Sequence, residues 1–244
     1  MGEGTETAET IITREGDVVG VGRLVSTRRS LHQLAEHVLA ADLHRHTGRI
    51  GLRASAGGLA TPTYDHEGRP RRVRIEGTTL VVDDGGEQRS APISTLRAAA
   101  RLLDIEPGGP AGVYPLSTPL EPDAPLDVDP VAARMIAEWF SIVDRALERF
   151  AAAHGDDSPT ERRLWPEHFD LALSMGEANY GGSPGDDGHD LPYLYVGPWS
   201  PREGEFWNEP FGASRSWKAN LDRDDAVGFL DEGHDRLTRP SPDR

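Results

Sequence analysis

The chain has 244 residues, of which 36% are hydrophobic and 27% charged, a composition typical of a globular protein with a sizeable core. Its formal net charge of −15 argues against nucleic acids and anionic membranes as partners, because both attract basic surfaces. The absence of cysteine excludes disulfides and thiol catalysis.

Neither a membrane span nor a secretory leader is predicted. No apolar run approaches the roughly 20 residues that cross a bilayer. Residues 1–13 are acidic and polar, without the basic start and apolar stretch of a signal peptide. We therefore expect a cytoplasmic protein without a membrane partner.

The first predicted helix covers residues 30–46. Ser30 is its predicted N-cap, and its leucines repeat at helical spacing on one face. Residues 1–27 before it are predicted to form a loosely structured lead-in, with one short strand near residues 10–13 or 17–24.

Ionisable residues occupy both faces of this helix. His37 and His44 lie opposite the leucines and are predicted to be solvated. Asp42 and His46 fall within the apolar face, where an ionisable pair must be mutually satisfied. Either the helix frays before Gly48, its predicted C-terminal stop, or the two residues form a buried pair and a second candidate site.

Hairpin signals follow. Three strands (49–54, 71–76 and 79–83) and two turns (77–78 and 84–86) are predicted from β-branched runs and glycine pairs. Ser94 is the predicted cap of a helix that ends near Leu103.

The next segment, residues 106–128, is rich in proline, glycine and aspartate and has no periodicity, so a long loop is predicted. The strongest helix of the chain follows at 129–153, with Asp129 as N-cap, a proline at its first position and a continuous apolar stripe. A closing helix is predicted at 222–237, and residues 239–244 are predicted to be a disordered tail.

Strands joined by hairpins, with helices in blocks, favour an α+β fold. We predict a mainly antiparallel sheet with helices packed on it, and the helix at 129–153 lying across the sheet. Residues 28–238 are predicted to form a single domain.

Chemically distinctive residues are concentrated between Leu164 and Trp217. Four of the five tryptophans lie there, with two histidines and a run of acids beside strand-like segments. An ordinary surface loop does not concentrate rigid aromatics, glycines and ionisable groups in this way. The stretch is therefore either the structural centre of the fold or its site.

A strand predicted at 167–175 would place His168 and Asp170 on one face by alternation. A carboxylate beside an imidazole suits an oriented base, so these two are the predicted catalytic residues. With His189 they are also a predicted two-His, one-carboxylate site for a divalent metal. The alternative is that His168 and Asp170 only anchor the neighbouring loop, since no established spacing such as His-Glu-x-x-His is present.

Tyr193 and Tyr195 share one face of another predicted strand. Together with Trp199 and Trp207 they are predicted to wall a ligand-binding pocket, because aromatic side chains bury much area while keeping a polar tip. The equally weighted alternative is that they are core aromatics whose polar tips bond to backbone groups.

The runs Leu164–Ala172 (LWPEHFDLA), Tyr180–Asp186 (YGGSPGD) and Pro192–Trp199 (PYLYVGPW) resemble a family of uncharacterised bacterial proteins. Residues 35–39 and 48–53 are similar to the same group, so the likeness covers most of the chain. The resemblance implies one architectural unit spanning both halves. It transfers no catalytic residue, because the family has no assigned activity.

Two functions are compatible with these features. The first is a protein that binds a small molecule or a divalent metal on a polar, aromatic-lined sheet face, of hydrolase type if it is an enzyme. The second is a non-catalytic structural or interaction protein, whose motif region is core and whose acidic surface meets a basic partner. Perturbed pKa values at His168 and His189 beside an open cavity would favour the first.

Overall fold

The computed structural model describes residues 10–13, 15–110, 112–218 and 221–238; the predicted tail at 239–244 lies outside these ranges. Helices and antiparallel sheets form an α+β fold, as predicted. The strands are β1 Thr10–Ile12, β2 Val18–Gly20, β3 Arg53–Ser55, β4 Gly58–Ala60, β5 Tyr64–His66, β6 Arg69–Glu76, β7 Thr79–Asp84, β8 Glu87–Pro92, β9 Arg163–Trp165, β10 Asp170–Met175, β11 Ala178–Ser183, β12 Tyr193–Pro198 and β13 Ala213–Ser216. The α-helices are α1 Val21–Leu34, α2 Ala41–Thr47, α3 Leu96–Leu102, α4 Pro130–Ala153 and α5 Arg223–Thr238. None of the helices in the described ranges has the length and apolar character that crossing a bilayer requires.

The first helical segment is continuous, because α1 passes through a π-helical turn at Ala35–Ala40 directly into α2. It begins at Val21, so residues 21–27 are helical rather than loosely structured, and Ser30 is a buried interior residue rather than an N-cap. The stop at Gly48 is confirmed, with φ at +70°. Before α1, both of the short strands considered for the N-terminus form, and they pair as the hairpin β1–β2.

The first large sheet has the order β3-β4-β6-β7-β8, with β5 paired to β6. The strands predicted at 71–76 and 79–83 are confirmed. The predicted glycine turns between β6, β7 and β8 are confirmed as well, with φ values of +58° at Gly77, +63° at Gly85 and +88° at Gly86. Of the strand predicted at 49–54, only residues 53 and 54 lie in a strand, as part of β3.

The second large sheet has the order β13-β12-β11-β10-β9 and contains most of the motif stretch. An antiparallel bridge between Leu52 and Leu164 connects its β9 side to the segment that precedes β3. The two halves of the chain are therefore joined through backbone hydrogen bonds as well as through side-chain packing.

α4 is the central helix, and it lies across the sheets as predicted. The Asp129 carboxylate caps it by accepting hydrogen bonds from two N–H groups of the first turn, at 2.9 and 3.0 Å. Its apolar stripe, which includes Trp139 and Phe150, is fully buried against both sheets and α5. The contact with β11 requires glycine at position 182, because a Cβ atom there would lie 2.6 Å from Cγ2 of Val143.

No helix or strand lies between α3 and α4 in residues 103–110 and 112–129, which agrees with the loop predicted at 106–128. Hydroxyl groups of α1 fix the end of this loop. Oγ of Ser30 accepts the N–H of Asp127 at 3.0 Å, and Oγ1 of Thr27 accepts the N–H of Asp129 at 2.9 Å. Thr95, rather than the predicted Ser94, caps α3.

We predict that Asp129→Ala lowers the free energy of unfolding by about 1 kcal/mol, because two N–H groups of α4 lose their acceptor. Asp129→Asn keeps an acceptor at the same position and is expected to lose less than half as much. Urea unfolding of the two variants and the wild type measures the difference. Equal losses in both variants would show that the capping bonds contribute little.

Candidate functional site

The motif stretch begins with β9, a tight turn and β10. Residues 166–169 form the turn, in which the N–H of Phe169 donates to the carbonyl of Trp165 at 2.7 Å. Phe169 has φ at +53°, a conformation that is costly for a bulky side chain. His168 is thus an exposed turn residue, and the prediction that it shares a strand face with Asp170 is wrong, because the strand starts only at Asp170.

Asp170 is buried at the start of β10. One of its carboxylate oxygens accepts a hydrogen bond from the hydroxyl of Tyr195, and the other, Oδ1, is buried without a hydrogen-bonding partner in the part of the chain that the structure describes. Burial raises the pKa of Asp170 to about 6, although the hydrogen bond from Tyr195 acts in the opposite direction. Its proposed catalytic role stays a prediction, now without His168 on the same face.

Tyr193 and Tyr195 lie side by side on β12, with ring centroids 6.3 Å apart, and Phe211 packs against both. The hydroxyl of Tyr193 donates to Asp186. Burial, and then the hydrogen bond and charge of Asp186, raise the pKa of Tyr193. Both phenolic tips are therefore occupied by carboxylates of this chain.

Trp199 and Trp207 lie apart from this pair. Trp199 is 63% exposed, and Trp207 is half-buried with its ring edge against Phe206 at 4.9 Å between centroids. Neither tryptophan lines the two cavities described below. Ligand binding by these four aromatic residues stays a prediction.

His189 is held between two carboxylates. Nδ1 lies 3.3 Å from Asp186 and Nε2 lies 3.1 Å from Glu209. Burial opposes protonation, but the hydrogen bonds to Glu209 and Asp186 raise the pKa of His189 above its ordinary value. With both nitrogens engaged in this way, His189 has no free lone pair for a metal.

The predicted metal site at His168, Asp170 and His189 stays a prediction without geometric support. Among the described residues, one group of three possible ligands converges within 4.8 Å, and it is a different one: His154, Asp157 and His234.

A cavity of about 500 Å³ lies between α1 and three loops, and we call it the motif cavity. Residues 28, 29, 32 and 33 of α1 line it, together with the loop segments 117–119, 167–169 and 185–187. His168 belongs to this lining, so there is open space beside the predicted base. Asp170 is not part of the lining.

Polar residues recur at intervals of four along the first helical segment. Arg28 and His32 of α1 and Glu36 of the π-helical turn lie on one face, which we call the polar face of α1. The guanidinium of Arg28 is buried and donates to the carbonyls of Asp186, His189 and Asp190 at 2.8–3.3 Å. It therefore fixes the loop that follows β11 against α1.

Glu36 fixes a second loop. Its fully buried carboxylate accepts the N–H groups of Ser117 and Thr118, both at 2.9 Å, and the hydroxyl of Thr118. The neighbouring His37 is also fully buried, with Nε2 2.9 Å from Oγ1 of Thr118, so the prediction that it is solvated is wrong. The loop that covers it lies 81 residues further along the chain.

Arg28 and His32 are the residues of this face that border the motif cavity. Nε2 of His32 lies 2.8 Å from the carbonyl oxygen of Pro166, and the His32 ring stacks on Phe169 at 5.1 Å between centroids. Burial lowers the pKa of His32, against the effect of the hydrogen bond to Pro166. His32 is not among the site residues predicted from the sequence; the four-residue spacing of the polar groups around it is the signal that could have identified it.

A second cavity, of about 490 Å³, opens on a buried charge cluster, which we define as Asp42, Tyr64, His66, Arg71 and Asp84. Arg71 donates to Oδ2 of Asp84 at 2.6 and 3.2 Å, and its Nη1 lies 3.8 Å from Oδ1 of Asp42. Burial opposes ionisation of Asp84, but the hydrogen bond and charge of Arg71 keep its pKa below the ordinary value. Tyr64 donates to Asp42.

The surroundings of Asp42 decide between the two alternatives given for it, a frayed helix end or a buried pair with His46. The helix continues to Thr47 and Asp42 is fully buried, so fraying is not the explanation. His46 contributes, with Nδ1 3.5 Å from the Asp42 carboxylate, but the closer partner is Tyr64.

The comparisons with known proteins found no matching family model, no matching curated protein and no matching solved structure. The function of the chain therefore has to follow from the chemistry of its own residues.

The raised pKa of Asp170 predicts a specific pH dependence of stability. The ordinary value is 3.8 and the folded value about 6, so between them the folded state keeps a proton that the unfolded state has lost. Stability then falls as the pH rises through this window, by on the order of 3 kcal/mol in total. The free energy of unfolding of Asp170→Asn minus that of the wild type is expected to grow by this amount from pH 4 to pH 7. Parallel pH profiles of the two proteins would contradict this prediction. Asp187→Asn, at an exposed position, is the control and is expected to give a profile parallel to that of the wild type.

We also predict that Arg71→Met lowers the free energy of unfolding by about 3–5 kcal/mol at pH 7, because two buried carboxylates lose their counter-charge. The deficit is expected to shrink at acidic pH, where the carboxylate of Asp84, whose pKa Arg71 lowers, takes up a proton. Arg72→Met, on the exposed side of the same strand, is the matched control and is expected to change stability by less than about 0.5 kcal/mol. Urea unfolding measures both, and equal effects would show that the cluster does not depend on Arg71.

Proposed function

We propose that this chain binds a small molecule that carries hydrogen-bond donors, such as hydroxyl or amino groups, in the motif cavity. The observation that carries the proposal is a lone pair of His32 that the protein itself does not use. A carbonyl oxygen can only accept a hydrogen bond, so Nε2 of His32 must carry the hydrogen that Pro166 receives. Nδ1 then keeps its lone pair, and within the described ranges no donor hydrogen-bonds to it.

The protonation state of His32 supports this role. Because burial lowers its pKa below 6.5, the ring is neutral at pH 7 and Nδ1 is an acceptor there. The carbonyl of Pro166 fixes both the tautomer and the orientation of the ring. A ring fixed in this way loses little freedom when a ligand donates to it.

Glu167 is a second residue with acceptor oxygens in the lining of the cavity. Its Oε2 is buried and has no hydrogen-bonding partner among the described residues. An imidazole lone pair and a carboxylate in the lining favour a ligand with donors and oppose an anion, because an anion would bring further lone pairs against them. Alcohols, polyols and amines therefore match the cavity better than carboxylates or phosphates.

The frame of the cavity is preorganised. Arg28 and Glu36 each bind a lining loop through backbone groups, so the loops are held before any ligand arrives. A preorganised frame around an open cavity supports binding rather than a purely structural role, since a packed core would leave no such space beside Nδ1 of His32.

Hydrolysis is the second candidate function, and the backbone of Phe169 favours it. A phenylalanine at φ +53° costs on the order of 1–3 kcal/mol, and such strain clusters at active sites. In this version Nδ1 of His32, rather than His168, would accept a proton from water or from a substrate hydroxyl. Turnover of chromogenic esters by the wild type, absent in a His32 variant, is the measurement that supports it.

We predict that alcohols, polyols or amines from a small-molecule library raise the melting temperature of the wild type, and that His32→Phe weakens their binding at least tenfold. Phenylalanine keeps a flat ring against Phe169 but removes the acceptor, and losing a hydrogen bond in a buried site costs about 1–3 kcal/mol. Affinity is expected to be constant above pH 6.5 and to fall as the pH drops through the lowered pKa of His32. Thermal shift followed by calorimetry measures both effects.

His44→Phe is the matched control, because His44 lies on the same helical segment but outside the lining of the cavity. Its binding is expected to equal that of the wild type. Equal binding by His32→Phe, or stabilisation by carboxylates alone, would contradict the proposal. A library without any hit would leave the structural or interaction role, with a basic partner for the acidic surface, as the better explanation.

A further inference from the structure

We propose that His154, Asp157 and His234 form a binding site for a divalent transition metal, with Zn²⁺ as the best match, at the junction of α4 and α5. His154 is the C-cap of α4, Asp157 belongs to the 3₁₀ turn Gly155–Asp157 that follows, and His234 lies on α5. One ligand atom from each lies within 4.8 Å of the others. The site is separate from the motif cavity and does not depend on the function proposed there.

The distance between two of the three ligand atoms fits a tetrahedral metal. With metal–ligand bonds of about 2.0–2.1 Å, two ligands of one tetrahedral ion are about 3.3 Å apart. Nε2 of His234 lies 3.3 Å from Oδ2 of Asp157, and the rings of His154 and His234 are only 4.3 Å apart between centroids. Two imidazoles and a carboxylate so close together bring three lone-pair donors to one point.

The second nitrogen of each ring is already oriented. Nε2 of His154 lies 2.9 Å from Oδ1 of Asp231, and Nδ1 of His234 lies 3.4 Å from the hydroxyl of Tyr180. Rings that ligate a metal commonly donate their other N–H to such a partner, above all to a carboxylate. Each ring here keeps one nitrogen for a metal.

The ligand types identify the metal class. Two imidazoles and one carboxylate suit Zn²⁺ and related transition metals, whereas Ca²⁺ and Mg²⁺ prefer oxygen ligands throughout. The side chain of Asp157 is 49% exposed, that of His154 22% and that of His234 9%, so the site can be reached from solvent. A fourth position remains for water or for an external ligand.

A bound ion would connect the end of α4 to α5 and so stabilise the packing of the last helix. A ligand that binds only the folded state stabilises it by an amount set by the ligand concentration relative to the Kd. The melting temperature therefore reports whether the metal binds. This consequence is independent of whether the metal has a catalytic role.

The test uses protein made without an affinity tag, stripped with a chelator and titrated with Zn²⁺ in a calorimeter. We expect one ion per chain and a higher melting temperature. His234→Gln is expected to lose the site, and Asp157→Asn, a substitution at a half-exposed position that the fold tolerates, is expected to bind at least tenfold more weakly. Asp231→Asn keeps all three ligands and is expected to weaken binding by about 10–100-fold through the orientation of His154.

Co²⁺ gives a second readout, because its visible absorption reports the geometry of the ligands. The wild type is expected to give a tetrahedral or five-coordinate spectrum that Asp157→Asn alters and His44→Gln leaves unchanged. The proposal is overturned if the wild type binds no Zn²⁺, or if Asp157→Asn and His234→Gln bind Zn²⁺ as tightly as the wild type.

Discussion

Burial of a polar face on α1 is the constraint on which the rest of this structure depends. A guanidinium, an imidazole and a carboxylate that leave water must find hydrogen-bonding partners, since an unpaired buried charge costs several kcal/mol. Arg28, His32 and Glu36 find theirs in three separate loops. Segments without helix or strand, including part of the long proline-rich loop, are thereby fixed around one helix, and the motif cavity is the space left between them.

The elements that could be predicted are those whose signals are local. The start of α4 combines an aspartate cap, a proline and a continuous apolar stripe, and each acts within a few residues. Gly48 ends α2, and the glycine turns between β6, β7 and β8 need positive φ values that glycine adopts without strain. The α+β class follows from the order of these hairpins and helices, because hairpins produce antiparallel sheets.

The candidate site could not be predicted in the same way, because its determinants are distant or conformational. Polar residues interrupt the apolar periodicity of α1, so its first turns are invisible to a search for amphipathic helices. The partners of its polar face lie 81 to 162 residues further along the chain. Alternation assigns His168 and Asp170 to one face only if the backbone between them is extended, and Phe169 at φ +53° breaks that condition. No property of a phenylalanine side chain signals a left-handed backbone.

The charge cluster and the motif cavity differ in what they leave unsatisfied. In the cluster, Arg71 faces one carboxylate at 2.6 Å and another at 3.8 Å, and His66 lies 3.2 Å from Asp84. Four buried atoms of the cluster make no hydrogen bond with the described residues, but each lies within 4 Å of an ionisable partner: Oδ1 of Asp42, Nδ1 of His66, Nη1 of Arg71 and Oδ1 of Asp84. Such a cluster can fix the packing of α2 against the first sheet without any ligand. In the motif cavity, the loops occupy Arg28 and Glu36, but Nδ1 of His32 and Oε2 of Glu167 receive no hydrogen bond from the described residues. The unpaired atoms of the cluster lie beside opposite charges of the protein, whereas those of the motif cavity are acceptors that no described donor reaches. For that reason the motif cavity, rather than the more highly charged one, is the better candidate for binding a ligand that carries donors.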